Sequence, residues 1–371
     1  MTVESLTLGG TAPGTMQALQ VHRFGTLGGR PKVYVQAALH ADEVPGMLVA
    51  QHLIGLLRTH DAAGRIRGEV VVVPLANPIG LQQRVAGTLL GRFSLVDGVN
   101  FNRGYPDPAD AAADAVAGRL GADPATNAAL VRAALLDANA AVSAATPADH
   151  LKRALLGLAL DADLVLDLHC ENEGVVHLYT LTPLADRCRP LAALLGAQAL
   201  LLADESGGNP FDEACSRPWS EVRRRFPDHP IPFGCCAVTV ELRGEADVSD
   251  ALAAADAGAL VDAMTLSGAI DAPAPALPAT RCQPTNLADV ELLVAPVPGV
   301  LLLHLEPGAS VEPGGLVAEV VDPLTGSRAA LHARYAGMLF AQESVRFVAA
   351  GRAVAKIAGT EAERSGALLT A

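Results

Sequence analysis

Along the first two thirds of the chain, apolar residues fall into short unbroken runs separated by longer stretches of mixed polarity. Residues 32–39 (KVYVQAAL) read as a buried strand. Residues 69–75 (EVVVVPL), 163–168 (DLVLDL), 175–180 and 237–242 (AVTVEL) repeat the type. Residues 45–60 carry Met47, Leu48, Leu53, Ile54, Leu56 and Leu57 at helical spacing. Residues 109–160 are Ala-rich and helical in pattern. Residues 249–268 read as a further Ala-rich helix, with Ser249 as N-cap and Gly268 as stop. Strands that are apolar on both faces and alternate with helices predict an α/β fold, a mostly parallel mixed sheet flanked by helices.

The texture changes near residue 271. Residues 271–280 (DAPAPALPAT) are rich in Pro and Ala and read as a stiff linker. Beyond them, short alternating runs are punctuated by Pro298-Gly299, Pro307-Gly308, Pro313-Gly314 and Asp322-Pro323. That rhythm predicts a small all-β module. The expected division is a catalytic α/β domain over residues 1–275 and a small C-terminal β-sandwich or barrel-like domain over residues 281–358.

Composition narrows the picture. The 371 residues are 50% hydrophobic and 18% charged, which excludes a disordered chain. Aromatics make up only 4%, so Ala, Leu and Val carry most of the core. A net charge of −13 argues against a nucleic-acid partner. No apolar run is long enough for a membrane helix, and the start (MTVESLTLGGTAPG) lacks the features of a signal peptide. The six Cys include no CxxC, and Cys235 and Cys236 read as reduced core residues. The expected compartment is the cytoplasm, with no membrane partner; a homo-oligomer is compatible with this.

Three segments at or just after strand ends carry candidate chemistry, where ligands gather in open α/β sheets. In Leu39-His40-Ala41-Asp42-Glu43, His40 and Glu43 are three apart across a strand-to-helix turn. His169 ends the DLVLDLH strand. Two His and one Glu are a common ligand set for catalytic zinc, although an HxxE pair also occurs as ordinary surface residues. Asp167 points to the same side of its strand as His169, and its role stays open. Glu241 sits inside an apolar strand, where a carboxylate is costly to bury unless it is paired or functional. It fits either a general base or a salt bridge with Arg243 or another Arg. Arg92 or Arg84 suits oxyanion stabilisation, and Asn102 with Arg103 suits a substrate carboxylate. Each arginine alone is equally an ordinary ion-pair partner.

The order HxxE, Asn77-Pro78, a distal Arg, Asp97-Gly98-Val99-Asn100-Phe101-Asn102-Arg103, Asp167-Leu168-His169, then Glu241-Leu242-Arg243-Gly244 resembles the zinc carboxypeptidase clan. More narrowly, it is similar to the succinylglutamate desuccinylase/aspartoacylase family over about residues 30–355. The resemblance implies one Zn2+ per chain, held by His40, Glu43 and His169. It implies Glu241 as general base and later acid, and Arg92 as the oxyanion-stabilising arginine. It implies Asn102 and Arg103 as carboxylate binders and a small-molecule N-acyl substrate. Three features depart from the family pattern: Ala41 where Gly is common, a long spacing from Asn77 to Arg103, and Cys170-Glu171-Asn172-Glu173 after the DLH. His177, Tyr179 and Asp204-Glu205-Ser206 are expected near the pocket, with Tyr179 touching substrate and the carboxylates favouring an amino group.

The expected function is a zinc-dependent amidohydrolase, a deacylase of N-acyl amino acids or related small molecules. A metallocarboxypeptidase acting on short peptides shares the metal and the base, and a substrate panel separates the two. A non-catalytic small-molecule binding protein is the alternative from another class. The sequence lacks GxSxG, GxxxxGK and GxGxxG, which argues against a serine hydrolase or a nucleotide enzyme. The β module has a biotinyl/lipoyl-type rhythm, but its hairpin Val321-Asp322-Pro323-Leu324-Thr325-Gly326 has no Lys. A structural or oligomerisation cap over the active site is therefore expected of it rather than a carrier role.

Overall fold

The computed structural model describes residues 1–9 and 13–369; residues 10–12, within the opening stretch read above, lie outside the described residues. In chain order the strands of the N-terminal two thirds are β1 (Thr2–Leu8), β2 (Gln17–Gly25), β3 (Lys32–Ala37), β4 (Glu69–Val73) and the short hairpin β5 (Arg84–Val85) and β6 (Thr88–Leu89). They continue with β7 (Leu164–Glu171), β8 (Glu173–Gly174), β9 (His177–Thr180), β10 (Ala199–Leu202) and β11 (Cys236–Gly244). The helices are α1 (Pro45–Ala62), α2 (Ala109–Val116), α3 (Pro124–Ala141), α4 (Pro147–Ala159), α5 (Ala185–Leu195), α6 (Phe211–Arg225) and α7 (Asp250–Leu266).

With β12 (Pro284–Asn286) the central sheet has nine strands in the order β1-β2-β4-β3-β7-β11-β9-β10-β12. Pairing is parallel along β4-β3-β7-β11 and along β9-β10-β12. It is antiparallel where β1 and β2 join β4 and where β9 meets β11. The sheet is thus mostly parallel and mixed, as its doubly apolar strands predict.

Alternation along each strand assigns the two faces. Val33, Val35, Val70, Val72, Leu166, Leu168, Val238 and Val240 pack with residues of α1, α5 and α7. Tyr34, Val71, Val73, Val165 and Ala237 pack with residues of α2, α3, α4 and α6. Each such Val or Leu contributes about 1.5–3 kcal/mol by leaving water. Gly46 lets α1 approach the sheet: a Cβ there would lie 3.1 Å from Leu168 Cβ and 3.2 Å from Ala37 Cβ.

Three local expectations are met with sharper bounds. Ser249 caps α7 by accepting from Leu252 N, and Gly268 ends it at φ 80°. The Ala-rich region resolves into α2, α3 and α4, the last opened by a Thr146–Asp149 capping box. The strand expected to end at His169 continues to Glu171. The β1–β2 hairpin and helices α5 and α6 gave no sequence signal; both helices hold an internal proline, Pro190 and Pro218. Tertiary packing overrides that local penalty.

The remaining strands are β13 (Val290–Val294), β14 (Gly299–Leu303), β15 (Ser310–Val311), β16 (Leu316–Val321), β17 (Arg328–His332), β18 (Gly337–Gln342), β19 (Phe347–Val348) and β20 (Ala353–Ala358). They form two sheets, β13-β20-β18-β15 and β17-β16-β14-β19, over a core that includes Leu301, Val317, Val320, Leu339 and Ile357. β18 also pairs with β8, so this β layer is stitched directly to the segment after His169.

Candidate active site

Sheet register creates the site. Glu241 on β11 lies opposite His169 on β7 and opposite His177 on β9, which puts the three side chains in one row across adjacent strands. One pleat back, Thr239 lies opposite Asp167 and Tyr179. Both rows share the face occupied by α6, at the carboxyl ends of β7 and β11, where ligands collect in such sheets.

His40 arrives from the turn after β3. Ala38 takes a left-handed φ of 62° there, and Asn77 clamps the turn by donating to Leu39 O at 2.9 Å while accepting from Gly80 N at 2.8 Å. Gly91 O accepts from Ala41 N at 3.1 Å. A Cβ on Gly91 would lie 2.3 Å from Asp42 N, so only glycine allows this approach. The contact brings the neighbouring Arg92 to the site. Its Nη1 lies 3.1 Å from Glu43 Oε1, whereas Arg84 is exposed on β5. Geometry thus selects Arg92 over Arg84 as the arginine at the site.

His40, Glu43 and His169 converge, all buried. His40 Nδ1 is 2.8 Å from Glu43 Oε1, and His169 Nδ1 is 2.8 Å from Glu43 Oε2. The far nitrogens are held from behind. Asn100 Oδ1 takes His40 Nε2–H at 2.9 Å, and Asp167 Oδ2 lies 3.0 Å from His169 Nε2, off the line of a well-aligned hydrogen bond. Such outer contacts orient each imidazole so that Nδ1 faces the cluster centre. Asp167 thereby acquires its role, and Asn100 is a positioning residue that sequence reasoning missed; its only signal was its place in the motif ending Asn102-Arg103.

Electrostatics agree with a cation site. Burial opposes ionisation of Glu43, but the two imidazoles outweigh it and hold its carboxyl well below the usual range. Burial likewise opposes charge on His169, yet Asp167 and Glu43 make positive charge favourable there. Burial and then Arg92 push His40 toward its neutral form. Two imidazole nitrogens and a carboxylate, all turned inward, fit a divalent metal of the zinc type.

The surrounding cleft spans about 720 Å³, including space open to solvent, and is walled in part by Arg92, Asn102, Arg103, Tyr179, Asp212 and Glu241. Asn102 spends its Oδ1 on Phe211 N at 2.9 Å, so only its NH2 group remains for a ligand. Burial first, then the carboxylates of Glu171 and Glu43, raise Glu241 to about 7. Arg243, the salt-bridge partner weighed for Glu241, instead pairs with Asp256.

One expectation is corrected. Asp204 and Glu205 are exposed and only Ser206 reaches the cleft, because Ser206 N binds Glu213 Oε1 at 2.6 Å and turns the loop outward. Beside Glu43, Glu171 and Glu241, the cleft wall takes its further carboxylates from Asp212 and Glu213 at the start of α6. Asp212 is raised to about 7 by burial and then by Glu213. Glu213 is raised as well, by its burial. Lys356 of β20 and Leu369 of the tail also line the cleft. All six Cys are free, with Cys235 and Cys236 buried. Among the described residues, no helix is long and apolar enough to cross a membrane.

Fold and site together define an α/β protein with a mostly parallel mixed sheet and a His/Glu metal-type cluster at its strand ends. The succinylglutamate desuccinylase/aspartoacylase catalytic domain matches residues 29–265, well over half of the chain, and the chain belongs to that family of hydrolases. A succinylglutamate desuccinylase/aspartoacylase family protein of Shewanella amazonensis SB2B is 26% identical, with 96% of this chain and 98% of that one covered at a TM-score of 0.85. A family protein of Shewanella frigidimarina NCIMB 400 is 25% identical, with 98% and 99% covered at 0.85. The ectoine utilization protein EutE (DoeB) of Ruegeria pomeroyi shares the fold at 17% identity, with 97% and 95% covered and a TM-score of 0.69. No curated protein matches the chain.

Proposed function

We propose that the protein is a zinc-dependent amidohydrolase that removes the acyl group of an N-acyl amino acid or related small molecule. The observation that carries this reading is the inward convergence of His40 Nδ1, His169 Nδ1 and both Glu43 oxygens, with each imidazole held from behind. Those three residues would hold one Zn2+, which when bound acidifies water and polarises a carbonyl.

The remaining steps belong to the chain. Glu241, whose proton affinity is matched to neutral pH, takes the proton of the attacking water and delivers it to the departing nitrogen. Arg92 supports the carbonyl oxygen as it gains charge. Arg103 and the Asn102 NH2 group bind a substrate carboxylate, and the Tyr179 ring forms the wall beside them. The cleft also includes Lys356 and Leu369 in its wall, which favours a small acylated molecule over a peptide.

The test is a deacylation screen over N-acetyl, N-succinyl and N-formyl amino acids, with short peptides in parallel. Chelation is expected to abolish turnover and Zn2+ to restore it. Full turnover by metal-stripped protein refutes the mechanism, and cleavage of peptides alone points to the carboxypeptidase reading.

A further inference from the structure

Next to the His40–Glu43–His169 cluster lies a second convergence of donors. Glu171, His177 and Glu241 each present a ligand atom, and these atoms lie within 4.8 Å of one another. Glu241 and His177 face each other across β11 and β9, and Glu171 lies two residues beyond His169 on β7. The cluster therefore adjoins the first one on the sheet.

His177 is fully buried. Its Nδ1 lies 2.7 Å from Val175 O, a contact that only an N–H can make. Nδ1 is therefore the donor of that bond, and Nε2 is the nitrogen turned toward Glu171 and Glu241. That Nε2 has no hydrogen-bond partner among the described residues and lies 3.7 Å from Glu171 Oε1, beyond hydrogen-bond reach. Glu241 Oε2 is likewise sealed from solvent and unpartnered. Two orphaned polar atoms in one buried cluster are costly unless something satisfies them. The Lys356 ammonium binds Glu171 but leaves both orphans unmet.

We propose that Glu171, His177 Nε2 and Glu241 Oε2 form a second divalent-cation site. One imidazole nitrogen with two carboxylates is a donor set for zinc-type ions, held together by the same register that builds the first cluster. Lys356 weakens this site, because its charge repels the ion and competes for Glu171. On the reading of Glu241 as base, filling the site occupies the oxygen that accepts the proton, so excess metal lowers turnover. The binding site itself does not depend on that reading.

The test uses the full chain dialysed against buffered free Zn2+, with bound metal counted by elemental analysis. Wild type is expected to bind two ions, one tight and one weaker. His177→Ala and the closer isostere His177→Gln are expected to bind one, tightly, with thermal unfolding confirming that each folds. His40→Ala is expected to keep the weaker ion alone. Lys356→Gln is expected to tighten the second ion by about tenfold. Saturation of wild type at one ion, or two ions in both His177 variants, overturns this proposal and leaves the hydrolase reading intact. Loss of the tight ion from wild type sinks the hydrolase reading instead.

Discussion

At the scale of single residues, the site is a set of side chains whose protonation and direction are fixed by neighbours. On the proposed mechanism Glu241→Gln keeps the shape but removes the base, and kcat is expected to fall by about 10²–10⁴-fold with the tight metal ion retained. Arg92→Ala is expected to lower kcat by about 10²–10³-fold, whereas Arg84→Ala leaves it unchanged, since Arg84 is exposed away from the cleft. Glu241 is lifted to about 7 by burial and then by the Glu171 and Glu43 carboxylates, while a bound cation pulls it down. As a base it works when deprotonated. Turnover should therefore rise with pH along a limb lying between the ordinary glutamate value and about 7, and a flat profile across that window excludes Glu241 as the base. The donors were legible from residue type and strand-end position. Asn100 was not, because an Asn in a loop motif carries no mark of which imidazole it meets.

At the scale of elements, the strand-to-helix turn after β3 depends on two supports. Asn77 bridges Leu39 O and Gly80 N, and Gly91 backs onto Ala41 and Asp42. Gly91→Ala forces the turn and Arg92 apart, so weaker zinc binding and a lower Tm are expected together. Helix α4 offers a contrast. Thr146→Ala removes its capping box and should cost about 1 kcal/mol in denaturant unfolding with kcat unchanged. The apolar run of α1 and the Ala-rich run of α7 with its Ser249 cap were readable locally. Helices α5 and α6 were not, since Pro190 and Pro218 argue against a helix and only packing on the sheet outweighs them.

At the scale of the whole molecule, the C-terminal β layer is part of the site's wall. It contributes Lys356 to the cleft, and Glu343 ties it to the segment after β7 by accepting from Asn172 Nδ2 at 2.6 Å, while Arg352 of the same layer holds its other oxygen. Burial opposes ionisation of Glu343, but Val345 N–H and Arg352 outweigh it and hold the carboxyl below its usual range. A depressed folded-state value means the stabilisation is present above the unfolded-state value, about 4.3, and disappears as pH falls through the folded one. Thermal unfolding from pH 6 to pH 3 should show this loss, and Glu343→Gln should flatten it.

By itself the sequence determined the buried strands β3, β4, β7, β9 and β11 and the helices α1 and α7, because apolar runs and capping act within a few residues. It also determined which donors are available at the strand ends. Only the tertiary structure decided that Glu43 meets His169 across 126 residues, that Arg92 rather than Arg84 stands beside them, and that Asp212 rather than Asp204 walls the cleft. Those outcomes follow from strand register and close backbone approach. They are set by the packing of distant segments, and no local pattern of residues encodes them.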